Sequence, residues 1–198
     1  MFDQFFALVL FALIATGSPG GATTLATASG ARFGLLRSIP LITGIALTLS
    51  GLVAVSCSGL ATTLQAAPAL NLIVKALGTV YLLWLAVKLG FSGAPNTINA
   101  NGERPLSFIN GAMLLLVNPK AWAMALGVAS SFSQLVSDPI LLGGLLAAVF
   151  ALSALLSLTF WALTGRLVSR VLSADWHWHI FNGGMAGLLA VSILQLWV

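Results

Sequence analysis

The sequence predicts an all-α integral membrane protein: six transmembrane helices forming a 3+3 inverted repeat, with helices 1 and 4 broken at Ser18-Pro19 and Asn118-Pro119. Three observations predict it. First, 59% of the 198 residues are hydrophobic and 6% are charged, whereas a soluble domain carries about 25% charged residues. Second, residues 4–31, 38–74 and 139–165 contain no charged side chain. Third, a polar residue followed by proline recurs at matching places in the two halves. Eight Lys/Arg and four Asp/Glu cannot cover a water-soluble body of this size. A soluble enzyme, a disordered chain and a nucleic-acid-binding domain are thereby excluded. The pI near 10.0 rests on a net charge of only +4. A lone cysteine, Cys57, excludes an internal disulfide and a Cys-rich metal site.

A bilayer core of about 30 Å needs around 20 apolar residues per helix. On that scale the spans are 4–30, 39–63, 69–90, 107–132, 139–163 and 180–197, and Leu/Ala-rich runs without period-two alternation favour helix over barrel strand. Span 1 lacks a basic leader and is too long for a typical signal-peptide core, so it is expected to be retained. The chain forms one transmembrane domain, 1–198: a first repeat over 1–91, a polar linker over 92–106 and a second repeat over 107–198. Arg32 and Arg37 lie in the first loop, 31–38; Lys88 and Arg104 flank the third, and Arg166 and Arg170 fall in the fifth, 166–179. Loops 64–68 and 133–138 and both termini contain no Lys or Arg. Positive charge collects on the cytoplasmic side, which puts the odd loops inside and both termini outside. Lys75 lies close enough to the outer boundary of its span to snorkel.

Three helices per half is an odd number, so the second copy must be inserted upside down, an arrangement that places a binding site where discontinuous helices meet. At 1.5 Å per residue, Ser18 lies roughly 22 Å from the outer start of span 1 and Asn118 roughly 16 Å from the inner start of span 4. Both breaks therefore fall at nearly one height, slightly inward of the midplane. Proline in a membrane helix can also be a simple kink. The dipeptides point to more than that, because Ser and Asn are favoured N-caps and proline is favoured at the first helical position. New half-helices are thus expected to begin at Pro19 and Pro119, with Gly20 and Gly21 permitting close backbone approach. Their N-termini suit a carboxylate, and the carbonyls freed at 15–17 and 115–117 are expected to receive an ammonium. A zwitterion satisfies both sets.

Lys120 is the most informative single residue. It sits about 20 Å from one end of its span and 18 Å from the other, too deep for its side chain to reach water readily. An ionisable group at that depth marks a functional site by default; the competing reading is a structural tie to backbone carbonyls at the break. Asp3, Glu103, Asp138 and Asp175 all map to ends or loops, leaving a positive mid-depth field that favours carboxylates. The substrate-binding candidates are Ser18, Pro19, Gly20, Gly21, Asn118, Pro119 and Lys120, with Lys120 also the candidate for proton coupling.

The sequence resembles the LysE/RhtB family of bacterial amino-acid exporters over nearly its whole length. The run Phe108-Ile109-Asn110-Gly111 through Asn118-Pro119-Lys120-Ala121 is similar to that family's F-x-x-G…NPKA segment. Lys75 through Leu85 resembles its lysine–glycine–tyrosine third helix, Ser18-Pro19-Gly20 the start of its PGP signature, and Gly183-Gly184 to Gly187 its last helix. The resemblance implies export of amino acids or derivatives from the cytoplasm across the bacterial inner membrane, driven by the proton gradient. Gly21 departs from the family's second proline, and residues 44–51 lack the acidic group many members carry in helix 2. That argues against a basic amino acid and favours a neutral or small polar one.

Other features are expected to be structural. Cys57 fits simple packing better than cysteine export. Trp176-His177-Trp178-His179 fits an interfacial anchor rather than a metal site, since only Asp175 accompanies the histidines. Gly17/Gly21, Gly30/Gly34 and Gly183/Gly187 allow tight contacts within the chain, or secondarily a homodimer. No P-loop, Gly-rich fingerprint or Ser–His–Asp set occurs, so neither a cofactor nor enzymatic activity is expected. The expected partners are a small-molecule substrate and the lipid bilayer. The alternatives to a secondary exporter are a passive amino-acid or small-solute channel and a transporter of another small metabolite.

Overall fold

Apolar runs separated by short polar turns give helices throughout. The computed structural model describes residues 2–58, 68–92 and 104–197, and every regular element among them is helical. In chain order these are α1 (Phe2–Gly17), α2 (Gly21–Cys57), α3 (Pro68–Gly90), α4 (Phe108–Leu116), α5 (Pro119–Ser131), α6 (Pro139–Ser169) and α7 (Asp175–Trp197). The expected loop 64–68 apart from Pro68, most of the linker, Glu103 and the side chain of Lys75 lie outside the described residues.

Both expected interruptions are present. Residues 18–20 separate α1 from α2, and 117–118 separate α4 from α5, whose axes are bent by 69°. The first loop differs from expectation. α2 continues for 37 residues, about 55 Å if straight, which exceeds a bilayer core. Gly34 divides it, with φ 76° and ψ 170°, a region open essentially only to glycine. One residue therefore does what a loop over 31–38 was expected to do. The buried Ser38 hydroxyl braces the bend, donating to the Gly34 carbonyl at 2.9 Å and pairing with Ser29 Oγ at 2.8 Å. Gly34→Ala should destabilise the protein by about 1–3 kcal/mol, read as a lower midpoint of thermal unfolding in detergent.

Two further ends move outward from expectation. α6 runs to Ser169 and α7 starts at Asp175, so the fifth loop shrinks to 170–174. The backbone hydrogen-bond ladder has no reason to stop where hydrocarbon gives way to headgroups. At the other end Asp138 caps α6 as its sequence suggests, its Oδ1 accepting from Ile140 N at 2.7 Å and Leu141 N at 3.1 Å.

α2 lies along α6, α4 packs on α2, α1 on α6 and α3 on α7. The shared core contains Leu8, Leu25, Ile45, Leu114, Phe150 and Leu158. Glycines allow the closest crossings: Gly30 meets Ala162, Gly165 meets Thr27, Gly44 meets Phe108 and Gly111 meets the Leu41 carbonyl. The opposite face of α6 exposes Leu152, Leu156, Phe160, Leu163 and Leu167, an apolar stripe suited to lipid. α2 and α6 are each long and apolar enough to cross a membrane, and the bent α4–α5 pair can form a third crossing.

Candidate functional site at the paired helix breaks

At the second break local chemistry acts as the sequence implies. Asn118 caps α5, its Oδ1 accepting from Lys120 N at 3.0 Å, and Pro119 occupies the first turn, where a missing N–H costs nothing. Upstream, Ser107 and Asn110 cap α4: Ser107 N donates to Asn110 Oδ1 at 2.9 Å, and Asn110 N donates to Ser107 Oγ at 3.4 Å. α3 closes this break from one side. Tyr81 donates to the Asn110 carbonyl at 3.0 Å, and Gly78 sits where a Cβ would lie 2.5 Å from the Val117 carbonyl. Asn118→Ala should cost about 1 kcal/mol, measurable as a shift in thermal unfolding.

The first break is built differently from expectation. Ser18 is not an N-cap. Its N–H still bonds back to the Ile14 carbonyl at 3.0 Å, and its hydroxyl donates to the Ala15 carbonyl at 2.9 Å, so it finishes α1. Gly20 is the N-cap of α2, and helix restarts at Gly21 rather than Pro19. Thr23 supplies the cap from inside the helix, its Oγ1 accepting from Gly20 N at 2.8 Å. The second glycine after Pro19 moves the restart, because nothing there fixes φ as a second proline would.

Between the breaks lies Lys120, 102 residues from Ser18 in sequence. Its ammonium donates to Ser18 Oγ at 2.8 Å and to the Ser18 and Pro19 carbonyls at 3.4 Å each. Gly20 leaves room for it: a Cβ there would stand 3.4 Å from Lys120 Nζ. The small cavity beside this contact, about 40 Å³, is lined by Ser18, Gly20, Gly21, Asn118 and Lys120 among mainly apolar side chains, including Ile45, Leu49, Leu115, Met124 and Leu158. Among the described residues no carboxylate lines it. The structure thus brings Ser18, Gly20, Gly21, Asn118 and Lys120 to one cavity, with Pro19 contributing its carbonyl and Pro119 starting α5.

The freed carbonyls are a correction. Those at 15–17 and 115–117 were expected to receive a substrate ammonium, yet the chain already binds most of them. Ser157 donates to the Thr16 carbonyl at 2.9 Å, Trp161 Nε1 to Gly17 at 3.1 Å and Trp122 Nε1 to Leu116 at 2.8 Å. Asn118 N takes the Leu115 carbonyl at 3.1 Å. A backbone carbonyl left open in a water-poor interior costs too much to keep in reserve. Ser157 and Trp161, one turn apart on α6, escaped the sequence reading. Their only signal was polar atoms at i and i+4 in an otherwise apolar run. His177 also finds a local role, its Nδ1 accepting from Ala174 N at 3.3 Å where α7 begins.

A family model described as LysE type translocator matches residues 13–196. A leucine efflux protein from Enterobacter sp. (strain 638) is 29% identical over 196 residues, covering 95% of this chain and 92% of that protein. No solved structure matches.

Proposed function

We propose, for a chain that belongs to the LysE type translocator family, that it exports neutral amino acids from the cytoplasm by alternating access, coupled to proton entry. It is a multi-pass membrane transporter and not an enzyme. One observation carries the finer reading: an ammonium held by neutral oxygens, between two helix breaks, in a cavity where no carboxylate is found among the described residues. Such a charge attracts the carboxylate of an amino acid, and the helix N-terminus at Gly21 adds to the field. The apolar remainder of the lining suits an aliphatic side chain, in keeping with the efflux of leucine named for the relative.

The cavity takes one or two waters and falls far short of the roughly 300 Å³ at which small-molecule pockets begin. On this reading the conformation is the occluded one. Substrate enters when the breaks part, and its carboxylate replaces Ser18 as the partner of Lys120. Lys120, the one titratable side chain among the described residues of the lining apart from hydroxyls, is the proposed proton carrier. Six spans as an inverted repeat, 1–91 and 107–198, support the two access states. The pairing of α1 with α6 and of α4 with α2 is the kind such a repeat produces. The positive-inside distribution supports insertion in the inner membrane with both termini outside.

Efflux of radiolabelled leucine from preloaded proteoliposomes, with and without an imposed pH gradient, tests the reading. Saturable efflux accelerated by inward proton flow is expected. Flux that rises linearly with concentration and ignores the gradient would establish a channel instead.

A further inference from the structure

The central cavity has to grow before it holds an amino acid, and most of its wall is fixed. Ile45 and Leu49 lie on α2, Leu115 on α4 and Leu158 on α6, and all four are buried. These helices are clamped backbone to backbone. Gly30 and Gly165 close the crossing of α2 with α6, and Gly44 and Gly111 close that of α2 with α4, Gly111 against Ile45 itself. A wall of this kind is packed as densely as a molecular crystal and gives little. The α1 part of the lining, Ala15 and Thr16, is tied to α6 through Ser157 and Trp161.

α5 is held differently. It packs chiefly on α2, and its glycine makes no such approach: a Cβ on Gly127 would meet nothing within 4 Å. The large apolar side chain that α5 gives to the lining is Met124, which is only partly buried. Met124 stands one turn, about 6 Å, along the helix from Lys120. Both line the cavity, so the ammonium and the thioether share one face of α5. Methionine is unbranched, turns about several bonds, and adapts its polarizable sulfur to irregular neighbours. Among the large apolar side chains described in the lining, Met124 alone is neither fully buried nor on a clamped helix.

We infer that Met124 is the specificity-determining residue of the transport site, the group that gauges the substrate's side chain and is displaced by it. The inference rests on the function proposed above. A carboxylate drawn to Lys120 leaves the rest of the amino acid beside the next turn of α5, where Met124 shares the cavity with the fixed side chains Ile45, Leu49 and Leu158. When the thioether swings aside, the room it leaves and the space of the one or two waters together match about one side chain of leucine's size. A benzyl group needs more, and the clamped helices do not supply it. Alanine fits but leaves part of the space unfilled, without the apolar contact that a longer chain makes. The site therefore prefers aliphatic amino acids of about leucine's size to aromatic and to small ones.

The test compares kcat/KM for leucine, phenylalanine and alanine in efflux from preloaded phosphatidylcholine proteoliposomes, using the full chain. Ratios between substrates do not depend on how much of a variant inserts. Met124→Ala should raise phenylalanine relative to leucine about tenfold, the low end of what one methylene decides in an apolar pocket. Met124→Phe should lower leucine relative to alanine by a similar factor, and Met124→Leu, near in volume, should restore the wild-type order of preference. Met113→Ala is the control, since Met113 on α4 is 44% exposed and lies outside the lining. If one Met124 variant does not reach the membrane, the ratios of the other decide the matter. Ratios unchanged in Met124→Ala and Met124→Phe overturn the inference and leave the transporter intact. The same shift in Met113→Ala also overturns it, assigning the effect to loosened packing. So does a loss of all transport in both Met124 variants with protein in the membrane, because a gauge discriminates and does not drive. A wild type that moves no leucine or other neutral amino acid overturns the proposed function itself.

Discussion

Lys120→Ala is expected to abolish export while the protein still reaches the membrane. Among the described residues the ammonium is the one cation of the central cavity, and its contacts are a hydroxyl at 2.8 Å and two carbonyls at 3.4 Å. On the proposed function, removing it takes away the counter-charge for a substrate carboxylate, and the one or two waters the cavity takes carry no charge to replace it. Truncating one partner of a buried charge pair costs about 2–5 kcal/mol, at least thirtyfold in affinity. A purely structural tie would behave otherwise. Lys120→Gln retains a hydrogen-bond donor for Ser18 but not the charge, so a tether alone would be largely restored by it. Export in Lys120→Gln should instead stay near that of Lys120→Ala, with both variants showing wild-type amounts in membrane fractions. Growth resistance to a toxic amino acid or dipeptide reads the same loss in cells, and normal export by either variant would remove Lys120 from the site.

The largest effect on folding is expected where α2 crosses α6. A Cβ on Gly30 would lie 2.0 Å from the Ala162 carbonyl oxygen, and one on Gly165 would lie 2.0 Å from that of Thr27. These are backbone atoms and cannot rotate aside, so either substitution forces two long helices apart by more than an ångström. Packing around Leu25, Ala26, Leu158 and Ala162 would open with them, and with it the platform on which Ser157 and Trp161 hold the first break. Gly30→Leu and Gly165→Leu should yield no monodisperse protein in detergent. The alanine variants should lose at least about 1–3 kcal/mol each, and the double variant should cost less than their sum because both open one crossing. Gly183→Ala and Gly187→Ala make the control: a Cβ at either meets nothing within 4 Å, so their thermal unfolding should match wild type.

These cases mark how much of the molecule is legible in the chain. The second break could be read because its chemistry is local: asparagine caps, proline starts a helix, and the bend follows. The first was placed correctly and assigned wrongly in detail, since Ser18 serves equally well to finish one helix or begin the next. Gly34 gave no warning, because a glycine among apolar residues looks the same whether it packs a helix or turns it.

Composition and charge placement determined that this chain is a helical membrane protein, where its two helix breaks fall, and which lysine lies beside the second of them. Only the tertiary structure decided what that lysine and the interrupted backbone bind. In a medium without water every freed polar group must find a partner inside the protein. Several partners satisfy a carbonyl or a hydroxyl equally well locally, so the choice among them falls to whichever helix packing brings within reach.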